Sequence, residues 1–331
     1  MRPRRVAVLF NQVPPDASKD DLDVLDQVRL VAAGLTELGY APVELPFTLG
    51  LDRAARRLKR LRPWLVFNLA ESVGGDGKLV HLAPALLDHL RLPYTGCPTD
   101  AMFLSCHKVW AKRVLDAGGV PTPEWLFAGG RAPAALPAGH YIFKSVWEHA
   151  SAWFDAQAIR PMENAGQIAE ALRQKVAQSG QEFYAERYID GREFNVALLA
   201  GTVLPIPEMR FLDFPPDRFK VVDYRAKWDE ESFEYTHTVA GFDFPAADAP
   251  LLESLGAMAR RCWDLFGLRG YARVDFRVDA DGRPWVMEVN ANPCISPDAG
   301  FIRAARRAGL TDARAIGRIV DDALARFSLN R

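Results

Sequence analysis

The sequence predicts an α/β protein: a mostly parallel N-terminal sheet with helices on its faces, followed by α+β parts. Three observations carry this. Between residues 5 and 96, apolar strand-like runs alternate with helix-length segments, the pattern of a parallel sheet. From residue 139 onward, strand-like runs such as "HYIFKS", "QEFYAERYI" and "EFNVALLAG" follow one another around a single intervening helix. Finally, "RVDFRVDADGRPWVMEVNANP", residues 273 to 293, alternates with the period of a strand up to an Asp-Gly turn.

Composition bounds the possibilities. At 331 residues, 49% hydrophobic and 25% charged, the chain has room for two or three folded units and a sizeable core. Lys+Arg 41 against Asp+Glu 42 gives no electrostatic case for nucleic acid or an anionic membrane as partner. The basic run Arg53, Arg56, Arg57, Lys59, Arg60, Arg62 reads as the solvated face of a short helix. The longest N-terminal apolar run, Val6 to Phe10, is too short for a signal or spanning segment, so a soluble cytoplasmic protein is expected. Cys97, Cys106, Cys262 and Cys294 form no C-x-x-C pair and are expected to be reduced thiols. No histidine near Cys294 in the sequence suggests an activating base, and the six histidines lack H-E-x-x-H spacing, which argues against zinc.

The elements follow in order. "VAVLFN" is a strand; a helix runs from about Asp20 to Leu38, stopped by Gly39; then come "PVELPF", the basic helix, "WLVFNLA", a helix near 79 to 90, and "LPYTG" as a further strand. "NQVPPDAS" stands after the first strand where a dinucleotide fold would carry G-x-G-x-x-G. "ESVGGDGK", 71 to 78, is a glycine-rich loop able to lean on a ligand or simply to turn the chain. A helix is expected from about Ser105 to Ala117, ended by Gly118-Gly119 and "VPTPE". A Pro/Gly/Ala-rich loop, 128 to 139, precedes "HYIFKS", and a helix lies near 164 to 178. Asp190-Gly191 reads as the turn of a hairpin joining "QEFYAERYI" to "EFNVALLAG". The segment 204 to 238, with four prolines, reads as a long ordered loop of the kind that forms lids. A helix near 248 to 266, the hairpin and a helical stretch from about 311 complete the chain.

In the hairpin, Val274, Phe276 and Val278 share one face. A two- or four-residue loop around Asp281-Gly282 sets Ala280 against Arg283, Asp275 against Glu288, and Arg273 against Asn290. Opposed carboxylates destabilise a strand pair; at about 4 Å and an effective dielectric near 20, the repulsion is roughly 4 kcal/mol. A positive charge is therefore expected between them. Two carboxylates and an amide oxygen form a hard all-oxygen site that suits Mg²⁺ or Mn²⁺ better than zinc. A surface hairpin whose polar face simply meets water, or one in which Arg273 and Arg277 neutralise the acids, is the alternative. On the second strand Trp285, Met287 and Val289 form the apolar face expected to fix the register.

Charged residues recur in a fixed order: Lys108 on a helix, Lys144 ending an apolar strand, Glu186 and Glu193 on the hairpin around Asp190-Gly191, Lys227 in the long loop, then the acid-acid-amide cluster. Across "YAERYIDGREFNVALL", "VVDYRAKW" and "RVDFRVDADGRPWVMEVNANP", and over nearly the whole chain, the sequence resembles ATP-grasp enzymes, and among them the D-alanine–D-alanine ligases and their relatives.

The resemblance implies an ATP-grasp fold with domains at 1–100 (N-terminal α/β), 101–185 (central) and 186–331 (C-terminal, carrying the metal and catalytic site). It implies that Lys108 and Lys144 hold ATP phosphates, that Glu186, Tyr188 and Ile189 form the adenine-binding hinge, and that Glu193 takes the ribose hydroxyls. Asp275, Glu288 and Asn290 would bind two Mg²⁺ ions, with Mn²⁺ as an alternative. Arg273 would stabilise the intermediate's charge, Lys227 would close over the γ-phosphate, and Ser151 belongs to the phosphate flap. It also suggests a homodimer.

Departures cluster on the acceptor side. In "KSVWEHASAW", Ala150 and Trp153 replace a serine and a glycine of the flap, and Trp228 stands in a tyrosine's place. "FNQVPPDAS" and "NLAESVGG" lack the histidine and glutamate arrangement around the first substrate, and Ala299 occupies the position of a carboxylate-binding serine. The implied activity is ATP-dependent amide formation between a small-molecule carboxylate and an amine, both amino-acid-like, through an acyl phosphate. An L-amino-acid or specialised-metabolite ligase of the same fold, and a non-catalytic ATP-binding regulatory protein, are the alternatives.

Overall fold

The computed structural model describes residues 3–14, 16–128, 136–147 and 158–328. The N-terminal sheet has β1 (Arg5–Asn11) at its centre, flanked in parallel by β2 (Ala41–Phe47) and β3 (Leu65–Asn68). Val6 to Phe10 are buried, as a central parallel strand covered on both faces requires. Between β1 and β2 lies α1 (Lys19–Glu37), opened by a capping box in which Ser18 and Asp21 satisfy each other's backbone N–H. α2 (Leu51–Leu61) links β2 to β3, and α3 (Leu82–His89) follows. "LPYTG" is not a strand, contrary to expectation. It makes one parallel bridge, Val66 to Tyr94, because Pro93 has no N–H to extend the ladder and Gly96, at φ +84°, turns the chain away.

The helix expected from Ser105 is two helices, α4 (Thr99–Cys106) and α5 (Lys108–Ala117). His107 between them is extended, and its Nδ1 accepts from the Trp110 N–H at 3.2 Å, so an imidazole acts as the N-cap. Lys108 thus opens a helix, with its backbone N–H donated to Val146 O.

A four-stranded antiparallel sheet follows, built from β4 (Trp125–Phe127), β5 (Gly139–Ser145), β6 (Ile159–Met162) and, after α6 (Ala165–Ser179), β7 (Phe183–Arg187); its order is β4-β7-β5-β6. The third sheet contains β8 (Arg192–Leu199), β9 (Thr202–Val203), β10 (Glu208–Phe211) and, past the short helices α7 (Tyr224–Trp228) and α8 (Phe233–His237), β11 (Thr238–Gly241). The segment 204 to 238 is therefore partly regular. After α9 (Ala249–Leu265), β12 (Tyr271–Val278) and β13 (Pro284–Asn290) complete the path β11-β10-β8-β12-β13, with β9 beside β8. The chain ends in α10 (Gly300–Arg307) and α11 (Asp312–Ser328), which return to the N-terminal sheet: Phe301, Ile302, Ile316 and Ile319 share a core with Val6, Val8 and Phe67. α4, α5 and α9 pack instead on the β8–β12–β13 side.

β7 and β8 do not form the expected hairpin. β7 pairs with β4 and β5, β8 with β10 and β12, and Asp190-Gly191 turns a corner from one sheet to the other. Gly191 has φ +139°, and a Cβ there would lie 2.0 Å from Val278 O. Gly191→Ala is expected to destabilise the protein by about 2–4 kcal/mol, from backbone strain plus a clash with a main-chain atom. Chemical denaturation checks this, and an unchanged midpoint would contradict it.

The 273–293 hairpin has the expected pairings Asp275–Glu288 and Arg273–Asn290, reached by a different route. Val278 pairs with Pro284, so the connection is the five residues 279–283, one more than the longer loop expected. The register shifts once between Asp275 and Phe276, leaving Met287 as the bulge residue that restores the pairing. The bulge also changes which residues face the core. Val274, Phe276 and Val278 are buried as expected, but on β13 it is Val286 and Val289 that are buried, with Trp285 and Met287 only half-buried.

Candidate active site

One cavity of about 1040 Å³ lies where the three sheets meet. Each side chain that enters it is aimed by the fold just described. Strand alternation on β12 points Arg273 and Asp275 away from the core that holds Val274 and Phe276. On β13 the Met287 bulge leaves Glu288 and Asn290 facing them.

The repulsion between the opposed acids is met from within the protein. Arg273 forks onto Asp275, with Nε to Oδ1 at 2.7 Å and Nη2 to Oδ2 at 2.8 Å, and Asn195 Nδ2 donates to the same carboxylate at 3.0 Å. Lys108 Nζ lies 3.1 Å from Glu288 Oε1. Arg277 is directed elsewhere. Buried beneath the cavity, it donates to Ile189 O (3.0 Å), Glu193 Oε2 (2.9 Å), Tyr188 Oη (3.1 Å) and Lys220 O (2.7 Å). Tyr188, Ile189 and Glu193 all line the cavity, so one guanidinium ties together the corner after β7, the start of β8 and the segment before α7. Burial pushes the Glu193 carboxyl above the usual range, with Arg277 opposing.

Lys144, at the end of β5, reaches the cavity with Glu186 behind it. Glu186 is 0% exposed and takes Lys144 Nζ on Oε1 at 2.5 Å and Lys112 Nζ on Oε2 at 2.6 Å. Burial would raise the Glu186 pKa, but the two ammoniums hold it below its ordinary value. Burial likewise opposes the charge on Lys144, yet Glu186, with Glu288 and Glu193, holds that pKa above its ordinary value. Sequence reasoning missed Lys112. Its signal was its position one helical turn after Lys108, on the same side of α5 as Val109 and Leu115.

Lys227, in α7, lines the same cavity. Burial and the nearby Arg273 lower its pKa, against the pull of Glu288, Asp275 and Glu193. α7 is held by Asp223, whose carboxylate caps the Ala226 N–H at 2.9 Å. Ser151, Ala150 and Trp153 lie outside the described residues. Among the described residues no group of three or more His, Cys, Asp or Glu could hold a metal; the oxygen set here is two carboxylates and the amide of Asn290, whose Oδ1 accepts from the Asn292 N–H at 2.9 Å.

At the other end of the cavity, buried Gln27 donates to Asp23 Oδ2 (3.2 Å) and Glu71 Oε1 (2.9 Å) and accepts from the Ile295 N–H (3.2 Å). Cys294 Sγ donates to Asp23 at 2.9 Å. Burial and the Glu71 and Asp23 charges push that thiol well above its ordinary pKa, which keeps it neutral and unsuited to nucleophilic work. Asp23 and Gln27 gave no motif; Glu71 opens the glycine-rich loop already noted. Ala299 lines this end.

Comparison with known proteins decides the family. A D-alanine–D-alanine ligase of Gloeobacter violaceus is 31% identical over 311 residues, 89% of this chain and 93% of the relative. The chain belongs to the D-alanine–D-alanine ligase family. The family profile described as D-ala D-ala ligase C-terminus matches residues 158–321, and the D-alanine–D-alanine ligase of Stutzerimonas stutzeri is 31% identical over 327 residues, 97% of this chain and 94% of the relative. The ATP-complexed crystal structure of D-alanine–D-alanine ligase from Bacillus anthracis superposes with a TM-score of 0.74 at 19% identity, over 99% of this chain and 100% of that one, which fixes the fold as ATP-grasp. Membership makes the protein a carbon–nitrogen ligase that depends on ATP. Among the described residues no helix is long and apolar enough to cross a membrane.

Proposed function

We propose that the cavity binds ATP with Mg²⁺ and joins two small amino-acid-like substrates, activating the carboxylate of one and coupling it to the amine of the other. The observation that carries this is the wall on which Asp275 and Glu288 stand in register, ringed by Lys108, Lys144, Lys227 and Arg273 from four separate elements. Phosphoryl transfer asks a protein mainly to position its reactants and neutralise charge, and these are the residue types that do so.

In this reading the phosphates lie along Lys108 and Lys144, the base packs against Tyr188 and Ile189, and the ribose hydroxyls donate to Glu193. Glu186, expected with Tyr188 and Ile189 in the adenine hinge, is fully buried with both oxygens taken by lysines, so its part is played from behind the wall, through its ion pair with Lys144. The donor set fits a hard divalent ion: two partly exposed carboxylates and an amide, all oxygen. Asp275, Glu288 and Asn290 would hold two Mg²⁺ ions, with Mn²⁺ as a substitute. Bound Mg²⁺ supplies neutralisation of phosphate charge.

The remaining work falls to the chain's own groups. A substrate carboxylate oxygen attacks the γ-phosphorus, the bond from that phosphorus to the bridging oxygen breaks, and ADP leaves with an acyl phosphate formed. The second substrate's neutral amine then attacks the acyl carbon, phosphate departs with the bonding pair, and the amine sheds its proton. Arg273 faces the charge that builds on the reacting oxygens, and Lys227 closes over the γ-phosphate and keeps water from the acyl phosphate.

The test is ADP release by purified protein with ATP and Mg²⁺, against D- and L-amino acids singly and in pairs, with product masses read from active mixtures. D-alanine heads the panel because the relatives carry its name; Ala299 and the Asp23–Gln27–Glu71 wall give reason to extend it to amino acids with further amines. Release that requires a particular pair, with a product mass equal to the pair less one water, is expected. Protein that binds ATP but releases no ADP with any pair would contradict the reading.

A further inference from the structure

We infer that Lys112 is a positioning residue for nucleotide binding: by neutralising Glu186 from behind, it leaves Lys144 a net cation on the cavity wall. This rests on the reading that Lys144 holds a phosphate. Three observations carry it. Lys112 is 2% exposed and cannot meet ligand itself. Its Nζ lies 2.6 Å from Glu186 Oε2 while Lys144 takes Oε1, so one buried carboxylate is shared between a lysine that faces the cavity and one that does not. Lys112 also donates to Thr122 Oγ1 at 2.6 Å, and that hydroxyl donates to Val286 O at 2.8 Å, fixing the ammonium to β13, the strand that carries Glu288.

Charge balance gives the consequence. Lys112, Glu186 and Lys144 together carry one net positive charge, and the only member of the three that reaches the cavity is Lys144. With an apolar side chain at 112, Glu186 and Lys144 would close into a neutral pair, and an incoming phosphate would meet a dipole with its ammonium drawn inward. Removing Glu186 together with Lys112 would again leave one net positive charge in the set, carried by Lys144. A lysine that only filled space would give no such reversal.

Calorimetric titration of the full chain with ATP plus Mg²⁺, and separately with adenosine, tests this. Lys112→Met, close in volume, is expected to weaken ATP by about tenfold or more and adenosine by less than about threefold, because only the former presents phosphates. The double variant Lys112→Met/Glu186→Gln is expected to bind ATP at least about threefold more tightly than Lys112→Met. Unchanged ATP affinity in Lys112→Met, an equal loss for adenosine, or no recovery in the double variant would each overturn the inference. If Lys112→Met fails to fold, Lys112→Gln takes its place in every comparison, since its amide can still donate toward Glu186 or Thr122 while the charge is gone. Wild-type protein that binds neither ligand would overturn the functional reading itself, and this inference with it.

Discussion

Glu288→Gln is expected to cut ADP release by about 10²- to 10³-fold, the scale seen when one preorganised charge-stabilising group is lost from a site. The substitution keeps the shape of the side chain and leaves Oε1 able to accept from Lys108, so the fold should survive and the melting temperature should stay close to wild type. It removes one of the two negative charges in the oxygen set, and with it the attraction for a divalent cation. Asp275→Asn should lose activity on the same scale. It should also cost stability, since Arg273 is held by a fork to both Asp275 oxygens and an amide offers only one acceptor. ADP release in a coupled assay, with thermal melting alongside, measures both. Wild-type turnover in Glu288→Gln would mean that the acids serve only to anchor Lys108 and Arg273.

Glu186→Gln should be the most destabilising single change in the nucleotide half. It leaves Lys112 and Lys144 within reach of a neutral amide, with Lys112 almost fully enclosed, and removal of one partner from a buried ionic group costs about 3–5 kcal/mol. Burial already draws Lys112 below its ordinary pKa, with Glu186 opposing. A base whose folded pKa is lowered stabilises the fold above its unfolded pKa and loses that contribution as pH falls through the folded value. Without Glu186 the folded value falls further, so the variant should regain stability relative to wild type as pH rises toward the ordinary lysine range. Urea unfolding at several pH values checks both statements. A loss below about 1 kcal/mol, the scale of an exposed pair, would mean that the triad is not ionised as drawn.

Much of this architecture was legible because strands announce themselves by period. The parallel order at the N-terminus followed from alternation of element types, and the Asp275–Glu288 pairing from counting back along one hairpin. That count succeeded because two features cancel: the connection is one residue longer than the longer loop expected, and the Met287 bulge absorbs the extra residue. Periodicity contains neither feature, and so Val289 was assigned correctly to the apolar face of β13 while Trp285 and Met287 were assigned to it in place of Val286. Asp190-Gly191 was misread because a turn dipeptide reports local φ values and not the partners of the strands it joins; each strand here finds its partners in a different sheet. The break at His107 was invisible because the residues on both sides suit a helix, and it is tertiary contact, the Lys108 N–H to Val146 O, that uses the gap.

Within the site, the cavity-facing Lys144, Arg273, Asp275 and Glu288 could be located on their strands from sequence, whereas the charges buried behind them, Glu186 and Arg277 on strands and Lys112 on a helix, could not. Lys112 looks like any lysine on a helix until its burial is known. Arg277 alternates correctly with Arg273, yet its four acceptors come from three separated segments that only the fold assembles. Gln27 is the same case at the opposite end, where a polar residue on an amphipathic helix holds two carboxylates at the cavity wall.

The most direct test of the chemistry follows one oxygen atom. The protein would be given ATP, Mg²⁺ and the active substrate pair, with the carboxylate of the first substrate labelled with ¹⁸O, and the inorganic phosphate released would be analysed by mass. One labelled oxygen in each phosphate is the expected result, since the carboxylate oxygen that attacks the γ-phosphorus leaves with it when the amine forms the amide. Unlabelled phosphate, with ADP still formed, would mean that water and not the carboxylate takes the phosphoryl group, and would contradict the ligase mechanism at its first step.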